Sequence, residues 1–167
     1  MTGHPDENVI GPTASEFRDA LGHFATGITV ITAMDDEGPV GLAANSFTSV
    51  SLDPPLVLFC PAKTSSSWPR IERDNSFAVN ILDDAQEEVC RVFATPGEDR
   101  FSKVAWHLSP SGSPLLNDVH AFLDCVLHEV HDGGDHWIVV GRVIDLGIEA
   151  DAGPLLYYRG AYGRLGE

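Results

Sequence analysis

The chain has 167 residues, enough for one domain with a sizeable core. With 43% hydrophobic and 21% charged residues it reads as a folded globular protein, which excludes general disorder. A formal net charge of −15 argues against a nucleic-acid or anionic-membrane partner, since a phosphate-rich surface would be repelled.

Residues 1–12 are polar, with glycine and proline, and read as a flexible tail ahead of a single domain over 13–167. They carry neither a basic nor an apolar signal-peptide segment. Thr13-x-x-Glu16 is a capping-box pattern, and Phe17, Ala20, Leu21 and Phe24 follow at helical spacing, so a short amphipathic helix is expected there. Ile28–Ala33 is rich in β-branched residues and reads as a strand. Asp35–Gly38 is a turn, and Val40–Ser51 reads as one long strand. After Asp53-Pro54-Pro55 the apolar run Leu56–Cys60 reads as a central strand.

A helix is expected over Ser65–Arg73, with Pro69 tolerated in its first turn. Phe77–Leu82 is the next strand. Asp83-x-x-Gln86 opens a helix with Ala85, Val89, Val92 and Phe93 on one face. Ser109–Pro114 reads as a loop. Ala121–His131 and His136–Ile148 read as two long strands joined by the hairpin turn Asp132-Gly133-Gly134-Asp135. Leu155–Gly163 is an aromatic last strand. Six or more strands with helices at their connections predict a mainly β fold with short helices, of the barrel type.

Two hydroxyl clusters flank the Leu56–Cys60 strand. One is Asn45-Ser46-Phe47-Thr48-Ser49-Val50-Ser51 and the other Lys63-Thr64-Ser65-Ser66-Ser67. Their ordinary reading is capping and strand pairing. Their functional reading is a site for a polar, phosphate-bearing ligand, with helix-start N–H groups and Lys63 or Arg70 as anion partners. Asp99-Arg100-Phe101 sets a guanidinium beside a ring, suited to a phosphate and a planar group or to an ion pair and a core Phe. His136, at the hairpin, is a turn histidine or one that reaches a cleft mouth.

Several chemistries lack their motifs. The sequence has no G-x-G-x-x-G, no G-x-x-x-x-G-K-[ST], no G-x-S-x-G and no H-E-x-x-H. His128 and His131, three apart on a strand, point to opposite faces, so no metal site is expected. Cys60, Cys90 and Cys125 are odd in number and far apart, which suits reduced thiols in a cytoplasm. No apolar run approaches the ~20 residues of a membrane helix.

The order of the motifs carries more than any one of them. Phe24–Thr32, then Asn45–Pro55 leading into Leu56–Cys60, Phe77–Leu82, Asp99-Arg100-Phe101, Gly134-Asp135-His136 through Val143, and the Tyr/Arg-rich tail form a series. This series resembles the flavin reductase family, NAD(P)H:flavin oxidoreductases that supply reduced flavin to partner monooxygenases. The resemblance implies an FMN-binding split β-barrel and a homodimer with flavin near the subunit interface. It implies FMN or FAD as flavin and NADH or NADPH as hydride donor.

By position, the resemblance puts Ala44, Asn45, Ser46, Phe47, Thr48, Ser49 and Ser51 along the isoalloxazine and ribityl chain. Ala43 departs from the hydroxyl residue of many members. Cys60, Lys63, Thr64, Ser65, Ser66 and Ser67 would hold the ribityl and phosphate end, with Arg100 and Phe101 near the phosphate or ring. His136, Arg159 and Tyr162 would face the nicotinamide nucleotide, His136 positioning it. The rival readings on such a barrel are a non-catalytic flavin- or haem-binding module and an enzyme that retains FMN and reduces another acceptor.

Overall fold

The computed structural model describes residues 10–97, 99–149 and 151–166. Most of the expected N-terminal tail, residues 1–9, lies outside them. The elements in chain order are α1 (Ala14–Gly22), β1 (Thr26–Gly27), β2 (Thr29–Asp35), β3 (Gly38–Ala44), β4 (Phe47–Leu52) and β5 (Pro55–Phe59). Next come α2 (Trp68–Asp74), β6 (Ser76–Ile81), α3 (Glu87–Ala94) and a 3-10 turn at Arg100–Lys103. The chain ends with β7 (Trp106–Leu108), β8 (Pro114–Leu116), β9 (Ala121–Gly133), β10 (His136–Ile148), β11 (Leu156–Tyr158) and β12 (Ala161–Gly163).

Seven strands form one antiparallel sheet in the order β3-β2-β6-β9-β10-β5-β4. The expected single strand over Val40–Ser51 is therefore two strands. They break at Asn45-Ser46 and occupy opposite edges of the sheet. In a flat sheet those edges would stand about 29 Å apart at strand spacing. Three peptide steps from Ala44 to Phe47 span about 11 Å at most. The sheet must therefore curl until its edges nearly meet, although β3 and β4 share no ladder. The expected central strand is β5, paired on both sides but one place from the edge.

Two apolar clusters hold this sheet, one on each face. β2 feeds both, which explains why its apolar run does not alternate with polar residues. Ile31 and Ala33 join Val57, Phe59, Phe77, Val79 and Val139 on one side, where α2 adds Trp68 and Ile71. Val30, from the same strand, joins Cys90 and Phe93 of α3 with Leu116 and Leu155 on the other. Phe59 stacks edge-on with Trp68 and Phe77, centroids 5.9 and 5.3 Å away. Such pairs add ~0.5–1.5 kcal/mol each beyond their burial.

The buried amide of Asn80 is fully partnered. Asn80, fully buried, donates to the Val30 carbonyl and to Thr32 Oγ1, both at 3.0 Å, and accepts from the Leu116 N–H at 2.8 Å. It thereby ties β2, β6 and β8 together. The hairpin β7–β8, which falls on either side of the expected Ser109–Pro114 loop, went unseen in the sequence because its strands are three residues each.

The helices match their local signals. Thr13 and Glu16 make the capping box of α1, the Thr13 N–H donating to Glu16 Oε2 at 2.8 Å. In α2 Pro69 does fall in the first turn, but the helix starts at Trp68 and not at Ser65. α3 starts at Glu87, after the expected Asp83 opening, and the Gln86 side chain accepts from the Asp83 N–H without capping the helix. One expectation on α1 differs. Its apolar stripe is not packed on this chain: Phe17, Leu21 and Phe24 are 57%, 54% and 74% exposed.

Candidate functional site

The crossing at Asn45-Ser46 builds one wall of a cavity of about 570 Å³. That volume is in the range of small-molecule sites. Leu42, Ala43 and Ala44 approach along β3, followed by Asn45 and Ser46. Ser46 fixes the crossing to the end of β5. Its Oγ accepts from the Cys60 N–H at 3.0 Å and donates to the Cys60 carbonyl at 3.2 Å. Burial pushes the Cys60 thiol pKa up, so it lines the cavity as a neutral group.

The second wall is the segment after β5, with Pro61, Ala62, Thr64, Ser65, Ser66 and Ser67. The expected offer of helix-start N–H groups is not what these serines provide. Ser65 Oγ already accepts from the N–H groups of Ser67 and Trp68, both at 3.3 Å. Two of the N–H groups at the helix start are thus already taken within the segment.

The third wall comes from Phe93 and Ala94 of α3, then Pro96 and Arg100. Phe93 lies close over β3 because residue 41 is glycine. A Cβ at Gly41 would stand 2.8 Å from the Phe93 ring. Arg100 is the single cationic side chain lining the cavity among the described residues. Its Nη1 donates to the Gly41 carbonyl at 2.7 Å and to Ser67 Oγ at 3.3 Å. Its Nε is buried and has no partner. Burial pulls the Arg100 pKa below the ordinary arginine value, yet arginine stays charged. A buried, unpaired N–H on a cation costs ~1–3 kcal/mol unless something accepts from it. Nε is sealed from the cavity, so what the wall offers an anionic oxygen is the charge of a guanidinium fixed by Gly41 and Ser67.

His136 stands at the rim. It bridges Ala62, and its Nδ1 lies 2.7 Å from Asp135 Oδ1. Gly134 takes the turn before it at φ 86°, a conformation that suits glycine.

Of the residues named from the sequence, the fold brings together Ala44, Asn45, Ser46, Cys60, Thr64, Ser65, Ser66, Ser67, Arg100 and His136. Phe47, Thr48, Ser49 and Ser51 lie on the edge strand β4, outside the cavity, with a register shift between Ser49 and Ser51. Lys63 turns away and pairs with Asp132. Arg70 is held by Asp35, its Nε donating at 2.8 Å. Phe101 packs edge-on between Phe93 and Trp106, centroids 5.1 and 5.7 Å away. Tyr162 sits with its hydroxyl 3.4 Å from Cys90 Sγ, and Arg159 occupies the β11–β12 turn. Leu42, Pro61, Ala62, Phe93, Ala94 and Pro96 were missed, being apolar residues with no chemical signature. Among the described residues no group of three or more His, Cys, Asp or Glu could hold a metal.

The model of the flavin reductase like domain matches residues 21–166. The chain belongs to the flavin reductase family. The reductase subunit HsaB of a flavin-dependent monooxygenase from Rhodococcus jostii is 51% identical over 146 residues, 87% of this chain and 75% of the relative. The structure of a nitrilotriacetate monooxygenase component B homolog from Mycobacterium thermoresistibile superposes with a TM-score of 0.88. It is 45% identical, with 91% of this chain and 86% of that one covered. A Streptomyces globisporus NADH:FAD oxidoreductase, solved with NAD and FAD fragments, gives 0.87 at 39% identity, covering 91% and 92%. The chain is an NAD(P)H-dependent flavin reductase that uses FMN or FAD, as its motif order implied.

Proposed function

We propose that this cavity seats the flavin with its phosphate end at Arg100 and Ser67, and that the nicotinamide nucleotide enters past His136. The observation that carries the reading is the Arg100 guanidinium, the single cation lining a hydroxyl-rich cavity among the described residues. We also read the curled sheet as the FMN-binding split barrel of the family, since Asn45-Ser46 joins its two edges. The reduced flavin passes to a partner monooxygenase.

When bound, the flavin supplies the ring that accepts a hydride from the nicotinamide. The chain's own residues bind and orient. Arg100 offers its positive charge to an anionic oxygen while the Gly41 carbonyl and Ser67 Oγ hold its guanidinium in place. Thr64 and Ser66 present hydroxyls to the polar part of the ligand, and the Phe93 ring covers an apolar part. No side chain here has to move a proton, because hydride transfer needs the two rings held in a near-attack pose. His136 is the positioning group for the nucleotide. His136→Ala should lower kcat/KM for NAD(P)H roughly 10- to 100-fold, the loss of one positioning contact of ~1.4–2.7 kcal/mol. Flavin affinity should hold. An unaltered KM and rate would make His136 a turn residue only.

We propose a homodimer as well. Phe17 and Leu21 on α1, with Phe24 just past its end, form an exposed apolar face that the described residues leave uncovered. Sedimentation at micromolar concentration should give twice the chain mass. Phe17→Ser combined with Leu21→Ser should shift the protein toward monomer. A wild-type chain that sediments only as monomer would overturn this.

A further inference from the structure

We infer that Lys63 is a positioning residue for the nucleotide side of the cavity, acting by pinning the β9–β10 hairpin that carries His136. The inference rests on the nucleotide reading of that rim. Among the described residues, the side-chain partners of Lys63 lie on this one hairpin. Its Nζ pairs with Asp132 Oδ2 at 2.5 Å and sits 4.6 Å from the centroid of the Trp137 ring. Its backbone N–H donates to the Asp135 carbonyl at 2.9 Å.

These contacts fall on both sides of His136. Neighbouring backbone groups join them: the Trp137 N–H donates to the Pro61 carbonyl at 2.9 Å, and Ala62 bridges His136. One residue later the same segment becomes the hydroxyl wall at Thr64 and Ser65. Lys63 thus fixes the distance between the wall that meets the flavin and the rim that meets the nucleotide, without lining the cavity itself.

The ion pair is partly exposed, with side chains 31% and 69% accessible, so it adds little to global stability. Its effect is local. A hairpin tip with few buried contacts opens far more easily than the core, and a pin there changes how often His136 is in place.

The test compares Lys63→Met, Lys63→Arg and Asp132→Asn in the full chain. Lys63→Met and Asp132→Asn should each raise KM for NADH by roughly 3- to 10-fold, with kcat and flavin Kd near the parent values. Lys63→Arg, which can still pair with a carboxylate and stack on Trp137, should restore the parent KM. Hydrogen exchange across residues 131–138 should quicken in Lys63→Met. A rise in flavin Kd for Lys63→Met but not for Asp132→Asn would overturn the inference and make Lys63 a flavin ligand. Unchanged exchange across the hairpin would overturn it too. His136→Ala separates the two claims: parent kinetics there would fail the nucleotide assignment of His136, whereas unchanged exchange in Lys63→Met fails the pin with that assignment intact.

Discussion

Arg100→Met should weaken FMN binding by roughly 10- to 100-fold, since charge-assisted hydrogen bonds contribute ~1.5–3 kcal/mol. Methionine keeps most of the alkyl stem, so the packing beside Phe93 persists. What is lost is the guanidinium, which bonds Gly41 and Ser67 through Nη1 and leaves Nε without a partner. The loss should be confined to flavins that carry phosphate. Riboflavin, which lacks one, should bind the parent and the variant alike. Titration of each flavin by its own fluorescence checks this. Equal weakening for riboflavin and FMN would mean that Arg100 shapes the cavity but meets no phosphate.

The second large effect falls on stability. Asn80→Ala should destabilise the protein by ~3 kcal/mol, because it strands the buried Leu116 N–H, removes the side-chain bonds to Val30 and Thr32 and leaves a cavity. In a chain of this size that corresponds to a fall in Tm of about 10 °C. Turnover per folded molecule should survive below the transition, since Asn80 does not line the cavity. A Tm within a degree or two of the parent would mean that these backbone groups find other partners. Denaturant unfolding followed by circular dichroism reads the loss directly.

Much of the fold is local and was therefore legible. The Thr13–Glu16 capping box and the Gly134 turn are each written in a few adjacent residues. The strands β2, β6, β9 and β10 announce themselves by β-branched and apolar content. The break at Asn45-Ser46 was not legible. Val40–Ser51 has strand composition throughout, and only the pairing partners, Ile31 for Leu42 and Phe59 for Phe47, decide that it serves two edges. β7 and β8 are too short to show a period.

The site divides along the same line. Ala44, Asn45 and Ser46 at the crossing and Thr64–Ser67 after β5 converge, whereas Phe47, Thr48, Ser49 and Ser51 run on along the edge strand β4, outside the cavity. Lys63, Arg70 and Phe101 do not converge either, because each has a nearer partner: Asp132, Asp35, and the rings of Phe93 and Trp106. A charge or ring in a motif shows capacity; neighbours in space decide its use. Phe93 carries no signal of its own, and its place in the wall follows from Gly41 lying beneath it.

The central claim is that Arg100 anchors a flavin phosphate in the cavity where NAD(P)H reduces it. The measurement that tests it most directly follows NAD(P)H absorbance while FMN, FAD and riboflavin are added in turn to the parent and to Arg100→Met. The parent should turn over with a KM for FMN or FAD well below that for riboflavin, and the variant with near-equal KM values. No turnover with any flavin, or an FMN preference that survives in Arg100→Met, would contradict it.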